Sequence, residues 1–243
     1  MSGHSKWSSI KRQKSINDQK RGKTFTKLSN AITIAVKQGG GIADPDSNFK
    51  LRLAIDAARA ANMPKENIER AIHRAVSKEA GELHEVVYEG FAPGGVSVIV
   101  EAFTDNPART TSEIKNIFYK AGACFGQPGS VSYQFKHVGE IIVKKGNKSY
   151  DDIFAAALDS GAEDLEDVGE EIFIYTDPQD LAKVKDALLS SGLEIAEAGL
   201  VRKPVITAEV ADKEKFDKIE AFLNSLEELN DVQKVYSNME VNL

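Results

Sequence analysis

The charge of this 243-residue sequence reverses sign partway along. Residues 1–80 hold 16 Lys/Arg against 7 Asp/Glu, net +9, and residues 81–243 hold 15 against 30, net -15. The two halves together make the formal -6 of the whole. The period of the apolar residues changes at the same place, from helical before residue 80 to strand-like after it. One uniform architecture cannot satisfy both patterns. A basic helical module and an acidic α/β part are expected, with a boundary near Ser77–Leu83 that includes Gly81. A chain of this length is also long for one core and comfortable for two or three small domains.

The basic part predicts three amphipathic helices. Phe25, Leu28, Ala31, Ile32, Ala35 and Val36 recur at helical spacing, and Gly39-Gly40-Gly41 ends that run. Asn48 is a good N-cap for a second helix with Leu51, Ile55 and Ala58 on one face. It stops at Asn62-Met63-Pro64. Pro64 then opens a third helix, with Glu66 in its first turn and Ile68, Ala71, Ile72, Ala75 and Val76 as its stripe. Short connections make this a small bundle. Glu66 is placed to pair with Arg70 one turn on.

The acidic part predicts strands at Glu85–Phe91 and Val96–Phe103 around the turn Ala92-Pro-Gly-Gly95. A helix is expected over Asn106–Lys120, and a short strand over Ser130–Phe135. A repeat follows. Strand, helix and strand over 140–166 recur over 171–197, with Ser160-Gly161 and Ser191-Gly192 in equivalent places. Twice β-α-β is the pattern of a ferredoxin-like module. A strand at Val205–Val210, a helix over Lys213–Leu229 and a strand at Val232–Ser237 complete the chain. The fold class is therefore α+β: an N-terminal three-helix bundle and two α/β sandwich domains, the last ferredoxin-like and inserted into the middle one. The domains are 1–80, then 81–135 with 204–243 as a discontinuous α/β domain, and 136–203 as the insert.

Several function classes find no support. No stretch approaches 18 uninterrupted apolar residues, so a transmembrane helix and a membrane partner are excluded. The basic start lacks the apolar region of a secretory signal. Cys124, the single cysteine, fits a reducing cytoplasm, and its setting in Gly122-Ala-Cys-Phe-Gly126 reads as that of a small buried residue more than of a nucleophile. His4, His73, His84 and His137 share no metal-binding spacing. Gly146-Asn-Lys-Ser149 is a fragment of a phosphate loop and better suited to a hairpin or helix-cap turn. Six acids lie in Glu163–Glu171 without calcium-loop spacing, as in a solvated turn between strands. No catalytic residues, metal or cofactor are expected, and the chain is not expected to be an enzyme. A small-molecule sensor built on the ferredoxin-like repeat is the alternative of another class.

The basic end points to a polyanion. The first 27 residues carry eight Lys/Arg against one acid, Asp18. The candidate nucleic-acid-binding residues are Lys6, Trp7, Lys11, Arg12, Lys14, Lys20, Arg21, Lys23 and Lys27. Trp7 can stack on an unpaired base, or pin the tail to the bundle together with Ile10. Lys37, Lys50, Arg52, Arg59, Lys65, Arg70 and Arg74 extend the positive charge across the bundle.

Gly3-His-Ser-Lys-Trp7, Lys23-Thr-Phe-Thr-Lys27, Ala61-Asn-Met-Pro-Lys-Glu-Asn-Ile-Glu69, Tyr88-Glu-Gly-Phe-Ala-Pro-Gly-Gly95 and Thr104-Asp-Asn106 with Arg109-Thr110 resemble the signatures of the YebC/PmpR family. Gly129-Ser-Val-Ser-Tyr-Gln-Phe135 and Gly161-Ala-Glu-Asp164 match as well, so the resemblance runs through the whole chain in order. It implies a helical N-terminal domain and two α/β domains, no established catalytic residues, and a cytoplasmic transcriptional regulator that binds DNA. The family also includes a mitochondrial activator of cytochrome oxidase translation and bacterial members that relieve ribosome stalling. A ribosome-associated factor binding ribosomal RNA is thus the alternative. The basic motif carries over to Lys6, Lys11, Lys14, Lys23 and Lys27. Asn30 and Pro107-Ala108 depart from it, standing where relatives place basic or more polar residues. A monomer is expected.

Overall fold

The computed structural model describes residues 21–77 and 83–242. They form two compact units, one of residues 134–207 with 238–241, the other of the remaining described residues.

The larger unit begins with the bundle: α1 (Arg21–Gln38), α2 (Phe49–Ala60) and α3 (Lys65–Val76). Its core is Ile32, Val36, Leu51, Ile55, Ala58, Met63, Ile68 and Ala71, with Phe25 and Leu28 packed against it. Asn48 does more than cap α2. Its Oδ1 accepts from Leu51 N at 3.1 Å, and its Nδ2 donates to Ala35 O and Ile42 O, each at 3.0 Å. One buried amide therefore ties the end of α1 to the start of α2. Asn62 ends α2 at φ 56, a left-handed conformation that asparagine tolerates better than most residues.

An antiparallel sheet follows, with strand order β3-β1-β2-β9. Its strands are β1 (His84–Phe91), β2 (Ser97–Thr104), β3 (Cys124–Phe125) and β9 (Val232–Ser237). The near-continuous apolar run Val96–Val100 is buried at every position. Successive side chains of a strand point to opposite faces, so both faces of β2 are covered. Helix α1 lies against β2 and β9. Helix α4 (Pro107–Lys120) packs on α7 (Lys213–Glu227), where the Phe118 ring meets Phe222 edge-on at 4.9 Å and Phe125 at 5.5 Å.

Two carboxylates knit this unit together. Glu89 on β1 is 7% exposed and accepts Gly129 N at 2.8 Å, Val131 N at 2.8 Å and Ser132 N at 2.9 Å. This corrects the expected strand over Ser130–Phe135. With the amides of Val131 and Ser132 spent on a side chain, the segment makes a 3-10 turn, Ser132–Gln134, and the strand begins at Phe135. Asp231, just before β9, accepts from Thr110 Oγ1 at 2.6 Å, Arg109 Nη2 at 2.8 Å and Thr104 Oγ1 at 3.0 Å. It joins the end of β2, the first turn of α4 and the start of β9. Cys124 is exposed, not buried as its small neighbours suggested. On the edge strand β3, alternation turns Phe125 toward Phe118 and leaves the thiol outward.

Close packing at the β1–β3 edge needs a glycine. A Cβ on Gly90 would lie 2.5 Å from both Cys124 O and Phe118 Cε1. Gly90→Ala is therefore expected to destabilise the protein by about 1–3 kcal/mol, the usual range for overpacking. An unchanged midpoint in chemical denaturation would contradict this.

The smaller unit holds β4 (Phe135–Lys144), α5 (Tyr150–Ser160), β5 (Asp164–Asp167), β6 (Glu171–Thr176), α6 (Leu181–Ser190) and β7 (Glu194–Pro204). The sheet order is β5-β6-β4-β7 and every pairing is antiparallel, the ferredoxin-like arrangement. Gly161 and Gly192 occupy the repeat's equivalent turns at φ 98 and φ 71. Ser149 makes a capping box with Asp152, so the Gly146–Ser149 turn is a helix cap. The acidic run is paired across the sheet, not merely solvated. Lys203 Nζ bridges Asp164 at 2.7 Å and Glu166 at 2.9 Å and sits 3.6 Å from the Tyr175 ring centre. Lys145 holds Asp167 at 2.7 Å, and Lys136 holds Glu163 at 2.9 Å.

The remaining elements are β8 (Ala208–Val210) and β10 (Met239–Val241). The strand expected over Val205–Val210 is confined to β8. Pro204 ends β7, and Val205 and Ile206 are exposed.

Candidate nucleic-acid interface

Six of the nine sequence-predicted contact residues, Lys6, Trp7, Lys11, Arg12, Lys14 and Lys20, lie outside the described residues. Arg21 opens α1. Lys23 and Lys27 stand one turn apart on the same helix, and both reach the far end of α7. Lys23 Nζ donates to Glu228 O at 3.3 Å, and Lys27 Nζ donates to Glu227 O. These are the last carbonyls of α7, where the helix dipole favours a cation. The two lysines thus fasten the bundle to the α/β part of the unit as well as adding charge to it.

The other cations of the bundle differ in what holds them. Lys50 donates to Gln38 Oε1 at 2.8 Å, and Arg70 donates to Asn67 Oδ1 at 3.4 Å. Arg74 donates to Asn30 Oδ1 and Thr33 Oγ1, each at 3.1 Å. All four partners are neutral, so among the described residues none of these three cations is paired with a carboxylate. The expected Glu66–Arg70 pair is replaced by Lys65–Glu69 at 3.5 Å, beside Arg59–Asp56 at 4.0 Å. Both pairs are exposed, and such pairs contribute little. Over residues 21–77 there are ten Lys/Arg and five Asp/Glu, so the described bundle is itself net +5.

Arg109 lies in the sequence motif that begins at Thr104, but its role was not legible there. It bridges Asp105 at 3.0 Å and Asp231 at 2.8 Å. Asp231 is 122 residues away, and no local spacing announces it. The departures at Asn30 and Pro107-Ala108 also gain places. Asn30 orients Arg74, and Pro107 opens α4 behind the Asn106 cap, whose Oδ1 accepts Arg109 N at 3.1 Å. Among the described residues, no group of three or more His, Cys, Asp or Glu could hold a metal ion. No described helix is long and apolar enough to cross a membrane.

Known proteins with the same pattern span the whole chain. A model described as the TACO1/YebC protein N-terminal domain matches residues 5–78, and one described as the TACO1/YebC second and third domain matches residues 83–239. A "Probable transcriptional regulatory protein" of Persephonella marina is 47% identical over 243 residues, covering 99% of this chain and 96% of the relative. One of Acidithiobacillus ferrooxidans is 48% identical over 242 residues, covering 99% and 95%. The crystal structure of a conserved hypothetical protein, Aq1575 from Aquifex aeolicus, superposes with a TM-score of 0.86 at 43% identity, covering 93% of each chain. With both family models in order and relatives alike from end to end, the chain belongs to the TACO1/YebC family.

Proposed function

We propose that this chain is a nucleic-acid-binding regulator of gene expression, a DNA-binding transcriptional regulator that contacts its target through the basic N-terminal domain. It works in the cytoplasm as a monomer, and it binds without catalysing a reaction or needing a cofactor. The observation that carries this reading is the charge pattern. Eight Lys/Arg fall in the first 27 residues of a net acidic chain, and the described bundle adds Lys50, Arg70 and Arg74, whose partners among the described residues are neutral groups. The relatives' shared name, "Probable transcriptional regulatory protein", supports DNA as the target. The acidic remainder repels phosphates and so limits contact to one end of the chain.

Counterion release sets the expected response to salt. Six phosphate contacts give a log–log slope of about -4 to -5. Lys11→Glu, Arg12→Glu and Lys14→Glu together are expected to reduce that slope by about 2–3 and weaken binding about a hundredfold near 0.15 M salt. The thermal transition should not move. Fluorescence anisotropy with a labelled duplex checks both numbers. Unchanged affinity in the triple variant would remove the assignment of the contact to this segment.

A further inference from the structure

Within the larger unit, a groove of about 290 Å3 runs between the bundle and the start of α4. Arg74 and Asn30 come from the bundle, and Phe103, Asp105, Arg109 and Asp231 from the α/β part. Its size lies just below the usual range of small-molecule sites, about 300 to 1,000 Å3.

The two arginines are held alike and charged differently. Among the described residues, each makes its side-chain hydrogen bonds through Nη2, which leaves the Nη1 and Nε donors of both available. Arg109 stands between two carboxylates, Asp105 and Asp231. Among the described residues Arg74 has no carboxylate partner; Asn30 and Thr33 fix its guanidinium without cancelling its charge. An oriented, uncompensated guanidinium with spare donors is the group that grips a phosphate bidentately. The rest of the lining is not that of a bare anion site. Phe103 offers apolar wall, and Asp105 is 66% exposed and can accept from an amino or hydroxyl group. Asp231 is 15% exposed and committed to three donors, so it repels a ligand less than its charge suggests.

From this lining we infer that the groove takes one nucleoside monophosphate unit, free or within a single strand. Arg74 holds the phosphate, Phe103 lies beside the base or sugar, and Asp105 accepts one N–H or O–H. The inference deepens the nucleic-acid reading by adding a nucleotide subsite away from the N-terminal tail. It does not depend on the tail for its chemistry.

Adenosine and uridine monophosphates, inorganic phosphate and a five-nucleotide single strand are the probes, titrated against the full chain. The mononucleotides are expected to bind better than inorganic phosphate. Arg74→Gln should weaken mononucleotides and single strand at least tenfold, with Arg74→Lys intermediate because it keeps the charge and loses the fork. The Lys11, Arg12 and Lys14 triple variant should keep its mononucleotide affinity while losing duplex. The failure of the tail assignment is thereby separated from the failure of the groove. If Arg74→Gln shifts the melting temperature, amide chemical-shift changes in the wild-type protein decide. Changes centred on α1, α3 and the first turn of α4 support the site. Binding of neither mononucleotide nor single strand, mononucleotide binding equal to that of inorganic phosphate, or shift changes centred elsewhere overturns it. A single-strand effect without mononucleotide binding overturns the free-nucleotide source and keeps the strand.

Discussion

Glu89→Ala is expected to destabilise the protein by about 3–5 kcal/mol, because each buried donor left without its partner costs about 1–3 kcal/mol. Three backbone amides, Gly129, Val131 and Ser132, lose their acceptor at once. The turn at Ser132–Gln134 loses the group that holds it against β1. Glu89→Gln keeps the shape and one good acceptor, and should recover part of the loss. The effect also depends on pH. Burial would raise the Glu89 carboxyl, but the backbone donors and the Ser132 side chain hold it below its ordinary value. A carboxyl lowered in the folded state stabilises fully above its unfolded pKa, about 4.3, and that contribution disappears as pH falls through the lower folded value. Stability measured from pH 7 down to pH 3 should therefore fall more steeply in the wild type than in Glu89→Gln. Parallel curves would contradict the role given to the charge.

Asp231→Ala is the second large effect, expected at about 3 kcal/mol. It strips Thr104, Thr110 and Arg109 of a common acceptor at the junction of β2, α4 and β9. Burial again favours the neutral acid, and the bonds from Thr110, Arg109 and Thr104 with the Arg109 charge hold the carboxyl low. Arg109 is half-exposed and can be rehydrated, which keeps the cost below that of a wholly buried pair. Asp231→Asn retains one acceptor and should lose less than the alanine variant. Urea denaturation gives both numbers. Equal stability in wild type and Asp231→Ala would show that the cluster is incidental.

These two carboxylates also mark where the sequence stops being legible. Elements with one strong period were readable. The three bundle helices, the β2 run and the strand–helix–strand repeat each carry their apolar pattern locally. Asn48 and Pro64 announced the starts of α2 and α3. What failed did so because a distant side chain overrode the local pattern. Val131, Tyr133 and Phe135 alternate like a strand, yet Glu89, about forty residues earlier, takes the amides a ladder would need. Cys124 has small neighbours, but its edge-strand position decides its exposure. The acidic run looked solvated because Lys203 and Lys145, which neutralise much of it, come from other strands or their ends.

The candidate site divides in the same way. Its charge was visible as a count along the chain, because Coulomb forces at a tail need no fold to bring them together. Its geometry was not. That Lys23 and Lys27 end on the last turn of α7 depends on a contact across some 200 residues. That Arg74 faces the groove that Arg109 lines depends on the bundle packing against the start of α4.

The most direct test of the central claim is crosslinking in living cells, with sequencing of both the DNA and the RNA recovered and mapping of the crosslinked peptides. Promoter DNA, joined to peptides from residues 1–77 and lost in the Lys11, Arg12 and Lys14 triple variant, is the predicted result. Recovery of ribosomal RNA in place of DNA would contradict the transcriptional reading and move the function to the ribosome. Recovery of no nucleic acid above the triple-variant level would contradict the account as a whole.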